Sequence, residues 1–63
     1  MLTDKIAKKI GEEATEVVLA LKNNNKEEIT SEICDLIYHL MVLCVYSGVS
    51  LSSLMQELEK RHK

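Results

Sequence analysis

The sequence lacks the features on which several classes of protein depend. It has no proline and only two glycines, and it contains no repeat, linker or low-complexity segment, so residues 1–63 are expected to form one small domain. Its net charge of −2 leaves no basic patch, which argues against nucleic acid as a partner. We find no phosphate-binding loop, no nucleophile elbow and no cysteine–histidine metal set.

The two cysteines, Cys34 and Cys44, lie ten residues apart on one predicted helix. That separation is a rise of roughly 15 Å, which is too long for a disulfide bond. They are therefore expected to be reduced core residues of a cytoplasmic protein. Nothing at the N-terminus resembles a secretory signal, and the apolar run 36–46 contains His39 and is too short to cross a membrane.

The hydrophobic periodicity predicts an all-α fold: an antiparallel helical hairpin followed by a third, short helix. The predicted helices cover 4–23, 26–47 and 51–62, with Thr3, Asn25 and Ser50 as N-caps and Gly48 after the second helix. The break at Asn23–Asn25 has the chemistry of a turn. The predicted core stripes are Ile6, Ile10, Ala14, Val17 and Leu21 on the first helix, Ile29, Ile33, Leu36, Ile37, Leu40 and Cys44 on the second, and Leu51, Leu54, Met55 and Leu58 on the third.

The segment 40–45 is apolar on every side of its helix, and a lone hairpin could not cover it. A domain of this size buries little surface by itself, and no disulfide or zinc motif reinforces this one. We therefore expect the chain to associate with further copies as an oligomeric helical bundle, a dimer being the expected form.

Five acidic residues lie in two short runs. Residues three or four apart share a helix face, so Glu13 can point with Glu16, and Glu32 with Asp35. Folding the chain back at its asparagine turn sets the two pairs at one level, with Glu12 beside them. Such carboxylates repel unless a cation lies between them, and they form the oxygen cage that Mg²⁺ or Mn²⁺ prefers.

A solvated helix face is the alternative, since Glu12 lies nearly opposite the apolar stripe of the first helix. However, residues 17–21 are apolar on every side, so the acidic side is expected to be covered, which favours metal. Taken alone, Lys5 and Lys9 fit ordinary surface lysines better than phosphate contacts. His39, one turn beyond Asp35, fits a hydrogen-bonded, partly buried side chain better than a substrate contact. Gly11 is explained equally well by helix packing and by the close approach of a ligand.

The segments KIGEEATEVV (9–18) and EICDLIYHL (32–40) resemble the phosphoribosyl-ATP pyrophosphohydrolases of histidine biosynthesis, within the all-α, MazG-like NTP pyrophosphohydrolases. The resemblance covers nearly the whole chain and implies hydrolysis of 1-(5-phosphoribosyl)-ATP to 1-(5-phosphoribosyl)-AMP and pyrophosphate. The superfamily motif E-E-x-x-E, then E-x-x-D, matches this chain, and the family carries a further N-terminal stretch that is expected to help bind substrate and is not present here. The matching residues are Glu12, Glu13, Glu16, Glu32 and Asp35.

With this resemblance, Glu13, Glu16, Glu32 and Asp35 are expected to bind Mg²⁺, with Mn²⁺ as a substitute. Glu12 is expected to orient or deprotonate the attacking water, or to bind a further metal ion. Lys5, Lys9 and His39 become candidate contacts for substrate phosphate. Two rival functions remain at this point, a house-cleaning nucleoside triphosphate pyrophosphohydrolase with the same site and a non-enzymatic helical dimerisation module.

Overall fold

The computed structural model describes residues 1–62, which form three α-helices: α1 (Leu2–Asn23), α2 (Lys26–Ser47) and α3 (Leu51–Arg61). The predicted all-α class and helix order are confirmed. Lys63 lies outside the described residues. Helices α1 and α2 pack against each other as the predicted hairpin, whereas α3 makes few contacts with either.

The turn between α1 and α2 is held by asparagine side chains. Asn24 ends α1 in the left-handed conformation, with φ 53°, which asparagine adopts more readily than most residues. The Asn25 side chain accepts a hydrogen bond from the Glu28 backbone N–H at 3.1 Å, so the predicted N-cap is confirmed. Asn23 Nδ2 donates to Glu28 Oε1 at 3.0 Å and ties the two helix ends together.

The open end of the hairpin differs from the prediction. Helix α1 begins at Leu2, so the prediction that Thr3 is its N-cap was wrong; Met1 takes that position without a side-chain hydrogen bond. The Thr3 hydroxyl instead lies 2.6 Å from the Tyr46 hydroxyl on α2. This hydrogen bond fixes the antiparallel register within one residue of the predicted one.

Buried and half-buried residues mark the seam where α1 and α2 meet. They recur every three or four positions, the spacing of a helix face that packs on another helix. Ala20 is fully buried, and Ile6 is 9% exposed. We call this set the hairpin seam: Ile6, Ile10, Glu13, Val17 and Ala20 on α1, and Ile29, Glu32, Leu36, His39 and Leu43 on α2.

The seam overturns part of the predicted core. Leu21 is 65% exposed, and Ala20 takes its place against α2. On α2, the side that carries Glu32 and His39 faces α1, so the opposite, apolar side faces outward. Ile33, Ile37 and Leu40 were predicted to be core residues but are exposed. Cys34 is exposed as well, so only Cys44 of the two cysteines is even half-buried.

The described part of the chain is flat, with principal extents of 38 × 34 × 14 Å. The shortest extent is close to the diameter of one helix, so residues 1–62 form a single layer. An apolar groove runs between the outward side of α2 and α3, and the predicted stripe of α3 lines it without being covered. We call these residues the outer apolar face: Ile37, Leu40, Met41, Val45, Leu51, Leu54, Met55 and Leu58.

Helix α2 is also long and apolar enough, by length and composition alone, to cross a membrane. The sequence had excluded this for the shorter run 36–46. The core helix of a globular protein can have the same length and apolar composition. Glu32 and Asp35 in the same helix are costly in a lipid interior.

Replacing Gly11 and Gly48 separately by alanine should change stability in opposite directions. An added Cβ at Gly11 meets no heavy atom within 4 Å, so Gly11→Ala should raise the free energy of unfolding by about 1 kcal/mol. Gly48 ends α2 at φ 72°, where an L side chain is strained, so Gly48→Ala should lower it by about 1 kcal/mol. Urea unfolding followed by circular dichroism measures both. A loss of stability at Gly11 would contradict the open surroundings found there.

Candidate functional site

Three carboxylates meet where the two helices of the hairpin pack. Glu13 of α1 and Glu32 and Asp35 of α2 each offer an oxygen, and these oxygens lie within 4.8 Å of one another. We call these three residues the carboxylate cluster. It includes three of the four metal ligands predicted from the sequence.

The helix geometry explains why these side chains converge. Glu13 and Glu32 occupy seam positions, so packing of α1 on α2 points both toward the partner helix. The side chain of Glu13 is only 12% exposed, which is low for a glutamate. Asp35 lies three residues after Glu32, on the same side of α2, and is exposed at the edge of the seam.

The cluster raises the pKa of the Glu32 carboxyl above its ordinary value. Partial desolvation at the helix contact contributes most, followed by the negative charges of Asp35, Glu16 and Glu13 and a side-chain hydrogen bond with Asp35. Each of these effects disfavours the ionised form. Keeping Glu32 ionised therefore lowers the free energy of unfolding of the chain.

Two predicted residues lie near the cluster but outside it. Glu16 is exposed and is not among the three grouped carboxylates, although its charge contributes to the raised pKa of Glu32. Glu12 has a side chain that is 52% exposed and points away from the seam, as the helical wheel indicated. Glu12 is thus open to water beside the cluster.

The predicted phosphate contacts occupy three different settings. Lys9 Nζ lies 3.5 Å from Glu13 Oε2 and 4.0 Å from Glu12 Oε1, so it is paired with the acids themselves. The sequence carried this signal, since lysine three and four residues before glutamate is a common helical ion pair. Lys5 is exposed, with no ion pair among residues 1–62. His39 is half-buried in the seam, its ring edge-to-face with Tyr38 at 5.2 Å.

The donor set suits a hard divalent cation. Mg²⁺ and Mn²⁺ prefer carboxylate oxygens, and a bound cation would offset the repulsion that, after desolvation, contributes to the raised pKa of Glu32. All three residues of the cluster are carboxylates, whereas softer metals favour cysteine and histidine ligands.

Without divalent metal, Glu32→Gln should raise the thermal midpoint near neutral pH, because it removes a charge that the fold disfavours. The pH dependence follows from the same shift. A carboxyl whose pKa is higher in the folded than in the unfolded state lets the folded state bind more protons between the two values. Wild-type stability should therefore rise as pH falls through the folded pKa of Glu32 toward its unfolded value. Melts in EDTA across this range check the direction.

Glu27→Gln is the matched control for this substitution. Glu27 lies in the first turn of the same helix, where a negative charge is favourable, so its replacement should not raise the midpoint. If both variants shift the midpoint in the same direction, repulsion in the cluster is not what limits stability.

Comparison with known proteins gives a consistent family. Residues 1–62 match the family described as phosphoribosyl-ATP pyrophosphohydrolase. A phosphoribosyl-ATP pyrophosphatase of Leptospira biflexa is 59% identical over 59 residues, which are 94% of this chain and 64% of that protein. Another of the same name, from Clostridium novyi, is 53% identical over 60 residues, 95% of this chain and 54% of that protein.

A histidine biosynthesis bifunctional protein of Caldanaerobacter subterraneus is 60% identical over 60 residues, 95% of this chain and 29% of that protein. The chain therefore spans less than two thirds of each of these relatives. The family match includes both acidic runs and all three helices. The chain belongs to the phosphoribosyl-ATP pyrophosphohydrolase family.

Proposed function

We propose that this chain hydrolyses 1-(5-phosphoribosyl)-ATP to 1-(5-phosphoribosyl)-AMP and pyrophosphate, the second step of histidine biosynthesis, in the cytoplasm. The observation that carries the proposal is the carboxylate cluster, three acids held at one level of a hairpin that matches the family over residues 1–62. Relatives that are 59% and 53% identical bear the name of this activity. Their names do not favour the house-cleaning alternative.

The cluster residues Glu13, Glu32 and Asp35 are proposed to hold Mg²⁺, with Mn²⁺ as a substitute and Glu16 as a fourth ligand. The metal would neutralise charge on the phosphate oxygens and lower the pKa of a water molecule. The chain's own contribution is to hold these acids in fixed positions. Two helices fix the acids so that no loop must become ordered when a nucleotide arrives.

The remaining side chains divide the other tasks. Glu12 is exposed next to the cluster and is proposed to orient or deprotonate the attacking water. Lys5 and Lys9 lie one turn apart on α1 and are proposed to contact substrate phosphates, as is His39 at the edge of the seam. A purely structural dimerisation module would need none of these roles.

Substrate choice is tested with purified chain, alone and joined to the residues of the Leptospira biflexa relative that lie outside the matching region. Pyrophosphate release is measured with phosphoribosyl-ATP, dUTP and ATP, each with Mg²⁺. Faster turnover of phosphoribosyl-ATP is expected. Preferred hydrolysis of dUTP would support the house-cleaning alternative, and no turnover in either form would support the dimerisation module.

Glu12→Gln and Glu13→Gln should separate metal binding from proton transfer. Glu13→Gln removes a cluster carboxylate and should weaken Mn²⁺ binding, as should Glu32→Gln. Glu12→Gln should keep most of the Mn²⁺ affinity and lose roughly 10²-fold or more in turnover, since a positioned general base contributes about that much. Calorimetric titration of Mn²⁺ and release of pyrophosphate are the two measurements.

The control is Glu59→Gln, an exposed glutamate on α3. It should leave both measurements unchanged. Equal losses of Mn²⁺ affinity in Glu12→Gln and Glu13→Gln would make Glu12 an ordinary ligand and contradict its proposed role.

Mn²⁺ or Mg²⁺ should also raise the thermal midpoint of wild type, because only the folded chain assembles the cluster.

We also propose that the chain acts as a homo-oligomer, a dimer being the simplest form. The support is the outer apolar face, on which Val45 is 84%, Leu51 61% and Met55 51% exposed. Water contact over such a continuous apolar surface is unfavourable by roughly 25 cal/mol per Å². A second copy can cover it with the same residues, which is how a two-fold interface is built.

Leu54→Glu should shift the chain toward monomer. It places a charge inside the apolar groove, so the dissociation constant should rise by roughly tenfold or more. Gln56→Glu adds the same charge to the same helix, at a residue that does not line the groove, and should leave association unchanged. Sedimentation equilibrium measures both. A folded wild-type monomer at micromolar concentration would refute the proposed oligomer.

A further inference from the structure

The ammonium group of Lys9 forms an ion pair with the carboxylate cluster through Glu13. Lys9 Nζ lies 3.5 Å from Glu13 Oε2 and 4.0 Å from Glu12 Oε1. Glu13 lies in the seam, and Glu12 lies beside it in contact with solvent. The lysine side chain is 51% exposed, whereas that of Glu13 is 12% exposed. The ammonium group therefore reaches in from solvent toward an acid that is largely covered.

The same Glu13 carboxylate cannot serve two close cations equally well. A divalent ion shared with Glu32 and Asp35 would offset much of the negative charge of Glu13, and the attraction between that carboxylate and an ammonium group at 3.5 Å would then weaken. Lysine is suited to leave, because its charge is compact and its four-carbon stem is flexible. An exposed ion pair is also weak, so exchanging it costs little.

We propose that Lys9 is an exchangeable counter-ion: it pairs with Glu13 and Glu12 before metal binds, and metal displaces it toward the phosphates of the substrate. This inference rests on the proposed metal site and deepens it. Displacement links the two binding events in order. Metal binding releases the ammonium group beside the cluster, where a phosphate group can pair with it.

Neighbouring lysines do not share this position. Lys8 and Lys5 are exposed, and neither has a carboxylate within 4.0 Å among residues 1–62. Lys8 carries the same charge on the same turn of α1 and points to a different side. It is therefore the matched control for a general electrostatic effect of lysine on metal binding.

The first test is calorimetric titration of Mn²⁺ into wild type, Lys9→Met and Lys8→Met. Removing a competing counter-ion should tighten Mn²⁺ binding about two- to fivefold in Lys9→Met, the range that an exposed ion pair supports. Lys8→Met should bind Mn²⁺ with nearly the wild-type affinity. Equal affinities in the two variants would overturn the proposal.

The second test follows the side chain itself. In chain with ¹⁵N-labelled lysine, Mg²⁺ titration should shift the Lys9 Nζ signal in step with metal saturation and leave the Lys8 signal in place. With Mn²⁺ bound, Lys9→Met should bind inorganic pyrophosphate about fivefold or more weakly than Lys8→Met. A Lys9 signal that does not move at metal saturation would overturn the exchange.

The two tests also separate this inference from the proposed function. If wild type binds no Mn²⁺, the metal site fails, and the exchange fails with it. If wild type binds Mn²⁺ but Lys9→Met behaves as Lys8→Met does, the metal site stands and only the exchange is overturned.

Discussion

Repulsion between carboxylates that helix packing forces together is the constraint on which the rest of this structure depends. Glu13, Glu32 and Asp35 come within 4.8 Å of one another because two of them occupy seam positions that an ordinary helical hairpin fills with apolar residues. Desolvation at the helix contact and this repulsion together raise the pKa of Glu32. Lys9 relieves part of the repulsion from the solvent side. A divalent cation would relieve more, so the fold and the chemistry that we propose draw on the same interaction.

The apolar residues are distributed accordingly. With acids and His39 in the seam, the described chain buries only Ile6 and Ala20 as hydrophobic core, and most of its large apolar side chains remain exposed. Polar hydrogen bonds compensate locally at both ends of the hairpin, between Thr3 and Tyr46 and between Asn23 and Glu28. Such bonds contribute modestly, about 1 kcal/mol each. Association over the outer apolar face is the larger source of stability open to a single layer of helices.

The arrangement suits work on a polyphosphate. Rigid helices hold the acids at fixed separations, while Glu12 and Lys9 stand at the exposed rim, where a nucleotide would arrive. Family membership and the names of the relatives are consistent with such a substrate. The candidate site residues all lie on α1 or α2, so the packing of these two helices is what positions them.

The sequence by itself determined the three helices, the asparagine turn, the Asn25 and Ser50 caps and the common level of Glu13, Glu32 and Asp35 along the hairpin. These follow from local spacing and turn chemistry, which act over a few residues. Only the tertiary structure decided which side of α2 faces α1, and hence that Ile33 and Ile37 face outward. It also decided that Thr3 bonds Tyr46, and that Glu32 converges with Glu13. Those outcomes depend on how two helices are rotated against each other, and a helical wheel with apolar residues on several sides does not fix that rotation.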